Sequence, residues 1–146
     1  YTSRVRKPDV ESATGAVWTA FEELLAQSDY VSLHCSLNDQ TRGLIGRAQL
    51  AMMRPTAVLI NTARGGVVDQ PALTEALREG RIAAAGLDVT DPEPIGKDDP
   101  LTRLDNCLIV PHVASATTES RARMSIVACS NILAVMKGEQ PPHAVN

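Results

Sequence analysis

Three apolar, strand-like runs in this sequence each end in a residue able to do chemistry: Asn61-Thr62-Ala63-Arg64-Gly65-Gly66, Leu87-Asp88-Val89-Thr90-Asp91-Pro92-Glu93-Pro94 and Pro111-His112. In an open parallel sheet such strand ends converge on one edge, so an Arg, a Glu and a His far apart in sequence can face one small molecule. A guanidinium grips a carboxylate through two parallel hydrogen bonds, where a Lys offers only a point charge. An imidazole holds or releases a proton near neutrality, and a nearby carboxylate favours its charged form and fixes the ring. Plainer uses exist for each group. An Arg in a glycine-rich turn can cap a carbonyl, a His after a strand can be a polar loop residue, a Glu between prolines can be a solvated charge, and Asp88 can cap a turn.

The elements that would position these residues follow from periodicity. Residues 29–35 are β-rich and 57–62 form a continuous apolar run of the kind buried on both faces in a parallel sheet. Between them 47–53 is helix-like, and Pro55 stops it. Asp69 before Pro71, then Leu73, Ala76 and Leu77 at helical spacing, then Gly80, read as a capped helix. Strands are expected at 82–89 and 107–110, separated by a loop over 90–106. From about 117 to 137, Met124, Val127, Ala128, Ile132, Val135 and Met136 mark one apolar stripe on a long helix ended by Gly138. Strands alternating with helices imply an α/β fold with a parallel sheet. Residues 1–4 read as the tail of a strand whose earlier part is missing, followed by a polar, Pro-containing stretch.

With 146 residues and 44% hydrophobic content, the chain suffices for one domain with a real core and not for two. A net charge of −3, with one short basic cluster at Arg4, Arg6 and Lys7, argues against a nucleic-acid surface or a polybasic membrane anchor. No apolar run approaches the ~20 residues of a membrane span. Cys35, Cys107 and Cys129 form no Cys-x-x-Cys pair and read as reduced core residues in a cytoplasmic protein with no metal.

The three strand-end motifs, in this order and at these separations, resemble the signatures of the D-isomer-specific 2-hydroxyacid dehydrogenases, and residues 84–94 resemble the glyoxylate/hydroxypyruvate reductases among them. The resemblance runs through 1–146. It implies the C-terminal portion of a Rossmann-type, doubly wound NAD(P)-binding domain, without the first strand, the glycine-rich turn and the separate substrate domain; no Gly-x-Gly-x-x-Gly occurs in the sequence. In the strand order 3-2-1-4-5-6, the missing strands would separate the 29–35 strand from the 57–62 strand.

By the same resemblance, the longer protein reduces glyoxylate, hydroxypyruvate or a similar 2-oxo acid to the D-2-hydroxy acid as a homodimer. Arg64 anchors the carboxylate, His112 gives the proton and Glu93 holds His112. Thr62, Ala63 and Asp88 lie near the nicotinamide, Ser36 and Leu37 near the adenosine, and Ala114 and Ser115 near the carboxamide or substrate. Ser3 and Arg4, with Arg6 or Lys7 adding to the site, stand where an acid would accept the ribose of NAD, which implies NADP with NAD as the alternative. A phosphoglycerate or lactate dehydrogenase, and a nucleotide-sensing corepressor, are the other readings of the same trio.

Overall fold

The computed structural model describes residues 1–145, and its contacts divide into two units, Tyr1–Pro111 and His112–Asn146. In the first, four parallel strands form one sheet in the order β1-β2-β3-β4: β1 is Tyr30–Leu33, β2 Val58–Asn61, β3 Ala84–Leu87 and β4 Cys107–Ile109. The described residues also form five α-helices: α1 Pro8–Thr14, α2 Phe21–Gln27, α3 Arg47–Met52, α4 Gln70–Arg78 and α5 Thr118–Met136. This is a Rossmann-like α/β architecture, as the alternation of periods implies. The expected loop before β4 also contains a 3-10 turn, Pro100–Arg103, whose Asp99 cap accepts from the Leu101 amide at 2.9 Å.

Local chemistry sets the element ends. Asp69 caps α4 by accepting from the Ala72 amide at 3.0 Å, Pro71 occupies the first turn, and Gly80 follows the helix at φ 65°, a left-handed conformation that costs glycine little. Leu73, Ala76 and Leu77 are buried against Leu25 of α2, Leu50 of α3 and Leu59 of β2, forming the core. Arg47 of α3 pairs with Glu75 of α4 on the surface above it.

The structure departs from, or adds to, the sequence reading at several points. Residues 29–35 and 57–62 are not separated: β1 and β2 pair directly, with Val31 opposite Leu59 and Leu33 opposite Asn61. The stretch 16–19, unread in the sequence, lies along the chain start through Thr19 N–H to the Tyr1 carbonyl at 2.9 Å. With β1 directly beside β2, the two take the places of adjacent strands in a Rossmann order, as its fourth and fifth are. Second, the 57–62 run is not buried on both faces. β2 and β3 alternate between buried and half-covered residues, and β1 between buried and exposed ones. One face of the sheet carries the core.

Third, the apolar stripe of α5 is not a buried face. Only Ala134 is buried, while Met124, Ile132, Val135 and Met136 are exposed, as are Ile126 and Leu133 off the stripe. Among its described residues the second unit contains no other helix or strand, and one helix cannot bury its own stripe. Fourth, Cys129 is exposed on α5, whereas Cys35 and Cys107 are half-buried; burial pushes the Cys107 thiol up to about 11. Residues 8–14, read as polar connection, form α1 with Pro8 in its first turn.

Candidate functional site

β1, β2 and β3 run parallel in register, so their C-terminal ends lie on one sheet edge. Asn61 is the last residue of β2 and is 1% exposed. A buried amide must be satisfied. Its Nδ2 donates to the Arg64 carbonyl at 3.0 Å and its Oδ1 accepts from the Ala63 amide at 3.0 Å, so one side chain folds the Thr62-Ala63-Arg64 turn back over the strand end. Arg64 therefore leaves the sheet on a fixed backbone with its side chain exposed. Its Nη1 donates to the Ala63 carbonyl at 2.6 Å, the carbonyl-capping use; a guanidinium has five N–H donors, so this bond does not exhaust it.

Gly65 and Gly66 let two other loops close on that turn. A Cβ at Gly65 would overlap the Thr90 carbonyl, so the backbone after Arg64 rests directly on the segment that follows β3. A Cβ at Gly66 would meet Leu37 at 3.3 Å and the Arg42 guanidinium at 3.0 Å. The 43–45 segment then pairs with the turn through Gly43 N–H to Gly66 O at 2.8 Å and Ile45 N–H to Val67 O at 3.1 Å. The loop after β1, with Ser36 and Leu37, is thereby bound to the loop after β2.

The third loop is tied in twice more. Gln70 accepts from the Asp91 amide at 3.1 Å through Oε1 and donates to Asp99 at 2.9 Å through Nε2. Thr90, buried, donates its hydroxyl to the Pro92 carbonyl at 2.8 Å and shapes the turn into Glu93. Asp88 is buried beside β2, its amide donating to the Asn61 carbonyl at 2.9 Å. Glu93 is exposed. Thus Ser36, Leu37, Thr62, Ala63, Arg64, Asp88 and Glu93 all sit on three mutually anchored loops of the first unit.

His112, Ala114 and Ser115 open the second unit, where all three are exposed. His112 has φ 53°, which is uncommon outside glycine and marks a constrained backbone. The Ala116 amide closes a turn onto the Val113 carbonyl at 2.9 Å, just ahead of α5 and its Thr117 cap.

Ser3, Arg4 and Arg6 stand apart from the strand-end loops, on the 1–7 segment. Ser3 Oγ donates to the Val5 carbonyl at 2.7 Å and the Ser3 carbonyl accepts from Trp18 Nε1 at 3.2 Å. Arg4 is exposed, and among the described residues no hydrogen bond or ion pair involves its side chain. Residues 3–7 contain no carboxylate, and Glu11, which reaches Arg6, is paired with it at 2.7 Å. An unpaired guanidinium and no free acid on the loop suit an anionic phosphate.

Sequence reasoning missed Asn61, Gln70 and Glu11 as supporting residues. Asn61 had a signal, a polar residue closing an apolar strand. Gln70 and Glu11 had none, because their partners lie 21 and 5 or more residues away along a path that only folding defines. No group of three metal-ligating residues occurs among the described residues.

Comparison with known proteins supplies the identity. The family described as D-isomer specific 2-hydroxyacid dehydrogenase, NAD binding domain, matches residues 1–114. The chain is 49% identical over all of its 146 residues to a glyoxylate reductase from Aeropyrum pernix, spanning 44% of that protein. Against the human glyoxylate reductase/hydroxypyruvate reductase it is 46% identical over 142 residues, 97% of this chain and 43% of the human protein. A solved Thermus thermophilus structure superposes with a TM-score of 0.93 at 46% identity, covering 100% of this chain and 45% of that one. The chain spans under half the length of these relatives. With the motifs, the parallel sheet and its strand-end loops in agreement, the chain belongs to the D-isomer specific 2-hydroxyacid dehydrogenases, its residues 1–114 matching the NAD binding domain of that family.

Proposed function

We propose that this chain is the C-terminal portion of the nucleotide-binding domain of an NADPH-dependent reductase that converts glyoxylate or hydroxypyruvate to the D-2-hydroxy acid. The observation that carries this is the anchoring of three strand-end loops around Arg64, held from below by the buried Asn61. Arg64 binds the substrate carboxylate through paired N–H donors, giving up its bond to Ala63. Bound NADPH supplies the hydride to the carbonyl carbon. His112 delivers the proton to the carbonyl oxygen, with Glu93 as its carboxylate partner by resemblance to the family. Asp88, Thr62, Ala63 and Ser115 contact the nicotinamide end, Ser36 and Leu37 the adenosine end, and Ser3 and Arg4 the 2′-phosphate. The motifs support these roles by resemblance to the family, and the names of the relatives support the reaction.

Within this reading the longer protein is a cytoplasmic homodimer acting on small acids, and the unpaired cysteines agree with a reducing compartment. Among the described residues no helix is long and apolar enough to cross a membrane. The test is glyoxylate-dependent NADPH oxidation by a protein spanning the relatives' full length. Turnover that His112→Ala abolishes, with Arg64→Lys raising KM, is the expected result; turnover indifferent to both substitutions would overturn the roles.

A further inference from the structure

The loop carrying Ser3 and Arg4 is tied down by a cluster that the assignment of roles leaves unused. Arg6 turns back along α1 and makes a two-pronged pair with Glu11: Nε to Oε1 at 2.8 Å and Nη2 to Oε2 at 2.7 Å. Glu11 Oε1 also accepts from the Tyr1 hydroxyl at 2.8 Å, and that hydroxyl accepts from the Lys7 amide at 2.8 Å. The chain is thus fastened at residue 1 and at residues 6 and 7 to one carboxylate. Glu11 is mostly covered, at 16% side-chain exposure, while Arg6 is 65% exposed.

An ion pair this open adds little stability, but its fork-on-carboxylate geometry fixes direction. It also decides the charge of the loop. Arg6 is neutralised by Glu11, and Arg4 remains as the arginine of residues 1–7 for which no side-chain hydrogen bond or ion pair is formed among the described residues.

We infer that Glu11 is a positioning residue for cofactor selectivity: with Tyr1 and Arg6 it clamps the loop so that Arg4 is held for the 2′-phosphate of NADPH, and Arg6 acts through the clamp without touching the phosphate. The inference rests on the proposal that Ser3 and Arg4 receive that phosphate.

The test is titration calorimetry of the full-length protein with 2′,5′-ADP and 5′-AMP, which differ by the 2′-phosphate alone. Arg4→Gln should weaken 2′,5′-ADP about tenfold or more, as loss of a charge-assisted hydrogen bond does. Glu11→Gln and Arg6→Gln should each weaken it by about three- to tenfold, and the double variant no further than either single one, because both remove the same clamp. Affinity for 5′-AMP should hold in every variant. If Arg6→Gln weakens 2′,5′-ADP while Glu11→Gln leaves or tightens it, Arg6 touches the phosphate and the inference is overturned. A parallel fall in 5′-AMP affinity would overturn it too, as damage to the fold. A wild-type protein that binds both ligands alike would instead defeat the NADPH reading, and the clamp's role in selectivity with it.

Discussion

Asn61 carries the most consequence for its size among the residues of the site. Replacing it with Leu keeps the γ-branched shape but strips the bonds from the Ala63 amide and the Arg64 carbonyl. Leaving such groups unpaired costs about 1–3 kcal/mol. We expect Asn61→Leu to lower the unfolding free energy by about that amount in urea denaturation, and to raise KM for glyoxylate more than it lowers kcat, because the Arg64 backbone loses its seat. Gly65→Ala should destabilise by about 1–3 kcal/mol in the same measurement, since its Cβ meets backbone that cannot rotate away.

Glu11 gives a prediction in pH. The Arg6 guanidinium, and then the Tyr1 hydroxyl, hold its carboxyl down from 4.5 to about 2. A depressed folded-state value means the contribution to stability is complete above the unfolded value and is lost as pH falls from about 4.5 toward 2. Denaturation midpoints of the wild type should therefore fall more steeply over that window than those of Glu11→Gln. Equal slopes would mean the pair does not form in solution.

At the scale of elements, α4 shows why the motif loops hold their place. It begins four residues after Gly66, and its Asp69 cap keeps the chain from unravelling back into the Arg64 turn. Asp69→Ala should cost about 1 kcal/mol of stability, and Asp69→Asn much less, as thermal or chemical denaturation can check. Most elements were legible in the sequence because their signals are local. The Asp69, Pro71 and Gly80 punctuation placed α4 to within a residue or two, and Pro55 placed the end of α3. α1 was illegible, since its seven residues bury nothing and show no apolar period. The extended 16–19 stretch was illegible for a related reason: its hydrogen bonds go to residues 1 and 3, and a run that short carries too little alternation to declare itself.

For the whole molecule, the chain spans 44% of a relative 49% identical to it, and contains no Gly-x-Gly-x-x-Gly. We expect the 146 residues alone to show no glyoxylate-dependent NADPH oxidation, and a protein of the relatives' full length to show it in the same assay. Ordinary enzymatic turnover by the 146 residues would refute that division.

By itself the sequence determined the class of fold and the family, and it marked the residues that would do chemistry. These depend on local periodicity and on residue types at set spacings, which survive without three-dimensional knowledge. Tertiary structure alone decided that β1 and β2 are neighbours, that the three strand-end loops lock together through Asn61, Gly65 and Gln70, and that Arg6 is taken by Glu11. The reason is physical: which strand pairs with which, and which side chain meets a distant backbone group, are settled by competition among long-range contacts that no local pattern encodes.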